Sequence, residues 1–355
     1  MPPAFDNYFK FIRKMIPEKK LGTAIGLDIG TQECRMVEIS SKGHSYELMQ
    51  WAVEPIQGEL SSVIRKVLPQ TQAPVKNFYT SVFGKGTLIR YLQMPRMSRQ
   101  DLKNSFTLEA DKYFPFPSDQ IYTDCCILEE FRQKNTMLVM AVAVRRELID
   151  QYLKLLMDLG ACPSAIGINA ASLANVVQVL GWSQEASAPA VSEKTGTALL
   201  EMEDNVSNLT VYLDNIPRLT RDIFLGTADL TKKISNTLGM SLEEAERLQQ
   251  NPQERLEEIL TACEGTIRNF IQELRLSFDY FSTEHQGDVQ QIFLTVNGAF
   301  FQRVMEEFSK ELEIKVATWN PVSSLSVNPR VDLDDLQKNT HKLGVALGSA
   351  LYHYA

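Results

Sequence analysis

Apolar residues first recur with a strand's period between residues 24 and 53. There they fall into three short runs, 24–29, 34–40 and 46–53, parted by glycine-containing turns, and the spacing predicts a β-meander. A helix is expected over 59–68 and a strand over 77–83. That strand ends at the Gly84-Lys85-Gly86 turn, where a small unit is expected to be inserted. Within it the pattern predicts a strand over 88–94, a helix over 99–113 and a strand pair over 121–131 and 136–144. This is an α+β subdomain covering about residues 84–145. Helices over 146–159 and 170–180 return to the parent lobe, which then spans 21–182.

The stretch 183–195 is polar, aperiodic and rich in Ser, Ala and Glu, and reads as an inter-lobe linker. Beyond it the opening pattern repeats, with strands expected over 198–202, 209–213 and 217–223. A helix over 227–238 follows. Ser241 with Glu244 three residues later forms a capping box for the next one. Residues 253–283 keep apolar positions at helical intervals, as one long helix or a kinked pair. Strands over 291–296 and 315–318 and helices over 300–312 and 343–354 complete a second α/β lobe, 196–355, with a helical subdomain over about 229–285. At 355 residues the chain is too long for a single core, in keeping with two lobes.

Composition narrows the classes of function. A hydrophobic fraction of 44% and a charged fraction of 23% are those of a globular protein. The formal net charge of −8 speaks against a nucleic-acid partner, since phosphate backbones are held by clustered Lys and Arg. The five cysteines are scattered and lack metal-binding spacing, which fits a reducing compartment. Residues 1–20 stand apart, with Phe5, Tyr8, Phe9, Ile12, Met15 and Ile16 at helical spacing among Lys10, Arg13, Lys14, Lys19 and Lys20. Such a basic amphipathic helix suits either an anionic membrane surface or packing on its own domain.

Ile25-Gly26-Leu27-Asp28-Ile29-Gly30-Thr31, with Arg35 shortly after, resembles the first phosphate loop of the actin-like superfamily and of its type IV pilus assembly protein PilM family in particular. Leu92-Gln93-Met94-Pro95 before a helix, the run from Glu109 through Pro117 and the run from Ser241 to Leu248 are similar to the same family, in the same order. The resemblance implies an actin-like two-lobed α/β fold with duplicated β-sheet domains and a small α+β insertion in the first lobe. It also implies an ATP site: Asp28 to hold Mg²⁺, Gly30, Thr31 and Gln32 as phosphate cradle, Glu201 and Ser207 from the second lobe, and Gly298 on the adenosine side. Arg35 reads as a charge near the phosphates or as a surface strand residue, and Glu244 and Arg247 as ribose and purine contacts or as a solvated helix face.

The second half of that site departs from the family. Where PilM-like and FtsA-like proteins open the second lobe with Asp-x-Gly, this chain has Glu201-Met202-Glu203. A carboxylate about 4 Å from a phosphate repels it by about 4 kcal/mol at an effective dielectric near 20. Only Gly298 remains of a three-glycine turn, and Val296 is expected to crowd the base. A degenerate ATPase site, with ATP and Mg²⁺ weakly bound or not at all, is expected.

The family resemblance implies a cytoplasmic scaffold at the inner face of the membrane, docking the cytoplasmic tail of a PilN-like membrane protein between the first lobe and its inserted subdomain. Phe83, Leu92, Met94, Phe114, Phe116 and Tyr122 are the candidate contact set, with the subdomain's own core as the alternative use of the same residues. The competing function is a nucleotide-dependent, filament-forming ATPase of the FtsA type.

Overall fold

A computed structural model describes residues 22–43, 45–68, 78–182 and 195–354 of the protein. The helix expected over 1–20, and the expected linker apart from Thr195, lie outside the described residues.

β1 (Thr23–Ile29) is buried on both faces, which explains its nearly unbroken apolar run. Ile25 and Leu27 face one core together with α1 (Leu60–Val67), while Ala24 faces another. β2 (Glu33–Lys42) and β3 (Ser45–Pro55) continue the meander, and β4 (Phe78–Val82) joins β1 in parallel. After a turn through Gly84 and Gly86 the chain leaves for the subdomain. There β5 (Thr87–Pro95), α2 (Arg99–Tyr113), β6 (Ile121–Phe131) and β7 (Thr136–Arg145) form a three-stranded sheet, order β5-β7-β6, with α2 on one face. α2 begins at Ser98, whose hydroxyl accepts the Asp101 amide at 3.1 Å. Alternation along β7 divides the subdomain: Met137, Val139, Ala141 and Ala143 pack with Leu102 and Phe106 of α2, and Met140, Val142 and Val144 face the other way.

α3 (Arg146–Asp158), β8 (Ala165–Ile168) and α4 (Asn169–Leu180) lead back, giving, with a late strand β14 (Ser326–Val327), a six-stranded sheet of order β14-β3-β2-β1-β4-β8. The second lobe repeats the meander as β9 (Thr195–Met202), β10 (Ser207–Leu213) and β11 (Ile216–Ile223). α5 (Thr227–Leu238) and α6 (Leu242–Gln250) follow, the latter opened by the Ser241–Glu244 capping box. α7 (Leu256–His285) is one continuous helix of 30 residues whose Ile259, Cys263, Ile267, Phe270 and Leu274 line the lobe's core. β12 (Asp288–Leu294), α8 (Ala299–Leu312) and β13 (Lys315–Thr318) complete a five-stranded sheet of order β11-β10-β9-β12-β13.

The last residues, expected in the second lobe, return instead to the first. β14 (Ser326–Val327) pairs with β3, α9 (Leu333–Asn339) follows, and α10 (Gly344–Leu351) packs between β1 and α4. Glycines permit that approach: a Cβ at Gly26 would lie 1.8 Å from the Ala346 carbonyl oxygen, and one at Gly348 would lie 1.8 Å from that of Ser172. One core thus spans both lobes, with Leu199, Tyr212 and Phe293 of the second packed beside Val345, Leu347 and Leu173.

Candidate functional site

Two places bring chemistry-bearing residues together. The first is the cleft between the lobes. The β1–β2 register sets Asp28 directly opposite Arg35, on the face turned toward the second lobe. From that lobe Glu203, just after β9, reaches across. A single guanidinium nitrogen, Arg35 Nη1, donates to Asp28 Oδ2 at 2.8 Å and to Glu203 Oε1 at 2.7 Å. Thr31 Oγ1 donates to the other Glu203 oxygen at 3.3 Å, and Gln32 and Thr31 also reach Asp204. Glu33 extends the network, 3.5 Å from Arg35 Nη2 and 2.6 Å from Lys342 Nζ. The side chains of Asp28, Arg35 and Glu203 are only 1%, 11% and 9% exposed, so these are desolvated charges held by one another.

That crowding shifts the titrating groups. Burial pushes the Asp28 carboxyl up to about 6, outweighing the attraction of Arg35. Glu201 is displaced well above the carboxylate range, first by burial and then by Glu203 and Asp28. Its Oε1 accepts from Asn169 Nδ2 at 3.2 Å, and Asn169 Oδ1 in turn accepts from Ser81 Oγ at 2.8 Å. Glu33 is lowered, since Lys342 and Arg35 together overcome its desolvation. Buried His341, beside Lys342, is pushed down to about 4.

The family resemblance implies a nucleotide with Mg²⁺ in this cleft. Above Gly30, where a cradle needs open space, Arg35 Nη1 and Glu203 Oε2 each lie 3.1 Å from the position a Cβ would take. The cavity left beside Arg35, Glu201, Glu203 and Lys342 is about 20 Å³, scarcely the volume of one water. The residues present do not fit the group.

The expected nucleotide residues separate accordingly. Asp28, Gly30, Thr31, Gln32, Arg35 and Glu201 meet in the cleft, but Asp28, Thr31 and Arg35 are tied to one another or to Glu203, Gln32 reaches Asp204, and Glu201 is bonded to Asn169. Ser207 is fully buried and donates to the Leu225 carbonyl at 2.7 Å. Glu244 closes its own helix cap, and Arg247 pairs with Glu243 at 3.7 Å on the exposed face of α6. Gly298, at φ 105°, caps α8. Val296 does not crowd a base face: its side chain is buried in the second lobe's core. Glu33, Asn169, Asp204, His341 and Lys342 escaped sequence reasoning, because nothing in their spacing links residues so far apart in the chain. Arg35 was legible in principle, since counting back from a four-residue turn, Gly30 to Glu33, pairs Ile29 with Cys34 and hence Asp28 with Arg35.

The second place is a groove of about 860 Å³ between the subdomain and the first lobe. All six consecutive residues 122–127 of β6 line it, as do all four of β8. A strand shows consecutive residues to a cavity along its edge, not over a face. β6 and β8 are indeed the end strands of their sheets, so two open backbone edges flank the groove. Its floor carries Met140, Val142 and Val144, and Asp124, Lys103 and Arg99 sit at its rim. Tyr122 is 42% exposed and fixed in place: Arg146 lies over its ring at 4.2 Å, and its hydroxyl donates to Asp150 Oδ1 at 3.1 Å.

Of the six candidate partner contacts, only Tyr122 lines this groove. Met94 and Phe114 are buried in the subdomain core, where Leu92 and Phe116 pack against them and Arg145 covers the Phe116 ring at 4.9 Å. Phe83 is half-buried just beyond β4. Period-two alternation along β5 turns Leu92 and Met94 together into the subdomain core, which Phe114 and Phe116 join from the chain just after α2.

Comparison with known proteins agrees with this architecture. A family model described as type IV pilus assembly protein PilM matches residues 26–354. Among solved structures, the chain is similar to a PilM-PilN type IV pilus biogenesis complex with a TM-score of 0.78 at 22% identity, covering 94% of this chain and 98% of that one. It is also similar, at TM-scores of 0.47 and 0.44 and identities of 12% and 10%, to the ethanolamine utilization protein EutJ from Carboxydothermus hydrogenoformans and to an archaeal actin homologue. Those matches cover 98% and 93% of this chain, and 97% and 98% of theirs. With its two lobes, its inserted subdomain and a family match over almost its whole length, the chain has an actin-like fold and belongs to the type IV pilus assembly protein PilM family.

Proposed function

We propose that this chain is a scaffold on the cytoplasmic side of a type IV pilus-type machine, gripping the extended cytoplasmic tail of a PilN-like inner-membrane protein in the groove between β6 and β8. The observation that carries the reading is the pair of open strand edges flanking an apolar floor. An extended peptide gains backbone hydrogen bonds along such an edge, each worth about 1 kcal/mol net, and places alternate side chains on the floor. Tyr122 is the contact carried over from the six expected, joined by Val142 and Ile166. Nucleotide plays a weak part in this function or none, which disfavours the FtsA-type filament reading. Residues 1–20, with their basic amphipathic pattern, add contact with anionic headgroups. No described helix is long and apolar enough to cross a membrane.

The test is a titration of the full-length protein with a labelled peptide of the N-terminal cytoplasmic tail of a PilN-like protein from the same organism. Binding without nucleotide is expected. Val142→Arg, which puts a charge on the groove floor, should weaken it at least about tenfold, or about 1.4 kcal/mol, and Tyr122→Ala by a smaller factor. Absence of binding, or binding indifferent to both substitutions, would refute the reading.

A further inference from the structure

The cleft's charges form a connected object that the docking function leaves unused. Asp28 belongs to β1 of the first lobe and Glu203 to the loop after β9 of the second, 175 positions apart in the chain. Two buried carboxylates facing each other across a cleft repel unless a cation stands between them, and in a nucleotide-binding relative of this fold a bound ligand would have to supply the bridge between such loops. Here the chain supplies it. Arg35 Nη1 lies within 2.8 Å of both carboxylates and 3.1 Å from the position that a Cβ on Gly30 would take. Lys342, from the segment returning to the first lobe, neutralises Glu33 at the edge of the network.

We infer that Arg35 is a built-in cation that latches the two lobes closed in place of nucleotide and metal, so that the closed form of this protein is constitutive and does not respond to ATP. The argument is geometric. A guanidinium attached to β2 forfeits no translational freedom when it bridges, whereas a diffusible ligand must, so the tethered cation occupies the site at an effective concentration no free ligand matches. Glu203 is the residue that commits the site. A glycine there would leave Arg35 free to meet a phosphate, while the carboxylate both repels the phosphate and holds the guanidinium. The three remaining bonds of the loop, Thr31 to Glu203 and both Thr31 and Gln32 to Asp204, tie the same loops without a cation.

This inference is independent of tail docking, and its test uses no peptide. Urea unfolding of the full-length protein is followed with and without millimolar Mg·ATP, and for Arg35→Met, Glu203→Gln and the double variant. The wild-type midpoint should be unmoved by Mg·ATP, since a ligand that binds the native state raises it. Arg35→Met should change the unfolding constant at least about tenfold less in the Glu203→Gln background than in the wild type, because its partner across the cleft is already gone. A midpoint that rises with Mg·ATP overturns the inference, as does an Arg35→Met effect of equal size in both backgrounds. Should Arg35→Met fail to fold, the nucleotide titration of the wild type and of Glu203→Gln still decides.

Discussion

His341 sits 7% exposed next to the cleft, with Lys342 and Arg35 as its charged neighbours and Glu33 opposing them. Its Nδ1 is buried without a hydrogen-bond partner among the described residues. Its folded pKa near 4 lies below the ordinary 6.5 of an unfolded chain, so on acidification the unfolded state takes up the proton first. Stability from this group is complete above about pH 6.5 and is lost as pH falls toward 4. Asp28 has the opposite sign: raised to about 6, it contributes stability at low pH that is lost as pH rises from about 4 through 6. The two slopes oppose each other between pH 4 and 6. His341→Gln should therefore remove one of them, making the variant gain about 2 kcal/mol relative to wild type between pH 7.5 and pH 5 in urea unfolding. An unchanged difference would mean that His341 titrates normally. At this scale the sequence was legible only where residues are close in the chain. The Asp28–Arg35 pair follows from a hairpin count, but Glu33–Lys342 and Asn169–Glu201 exist only once the chain has returned on itself.

Among the elements, α10 bears the tightest constraint. It is apolar around its whole circumference because it is packed between β1, α4 and the second lobe. Its glycines are there for contact, not for flexibility. Gly348→Ala would drive a methyl group into the Ser172 backbone, and it should destabilise the protein by about 3 kcal/mol or more, measured as a lower denaturation midpoint. A neutral result would mean that the α10–α4 approach is looser than described. The long strands, and helices such as α2 and α7, were readable from hydrophobic periodicity because each runs through several periods. β8, with four residues, and α9, with seven, carry too few positions for a period to show, and of the two four-residue strands only β13 was read from the sequence. The return of β14 and α10 to the first lobe was invisible for a different reason: it is a tertiary choice made by glycine contacts, and no local pattern encodes it.

At the scale of the molecule, the two lobes and the subdomain form a closed set of contacts. The cleft network joins lobe to lobe. The subdomain, inserted in the first lobe, is also held by the second, through Arg218 and Glu129 at 2.5 Å and through the Tyr91 and Thr220 hydroxyls at 2.8 Å. The groove is thereby bounded by parts fixed on both sides, as suits a platform that receives an extended segment without first being assembled by a ligand. Its candidate contacts were only partly legible, since the aromatic richness of the subdomain signals a core as readily as a binding surface, and the open edges of β6 and β8 are properties of sheet order. Cys125 and Cys126 lie on the β6 edge inside the groove, whereas Cys34 and Cys263 are buried and Cys162 is exposed elsewhere. The most direct measurement of docking is therefore the rate at which a maleimide modifies the Cys125–Cys126 pair in a Cys162→Ser protein, with and without saturating tail peptide. Protection by the peptide, unaffected by Mg·ATP, is the result expected of a tail lying along β6, and an unchanged rate at saturation would contradict it.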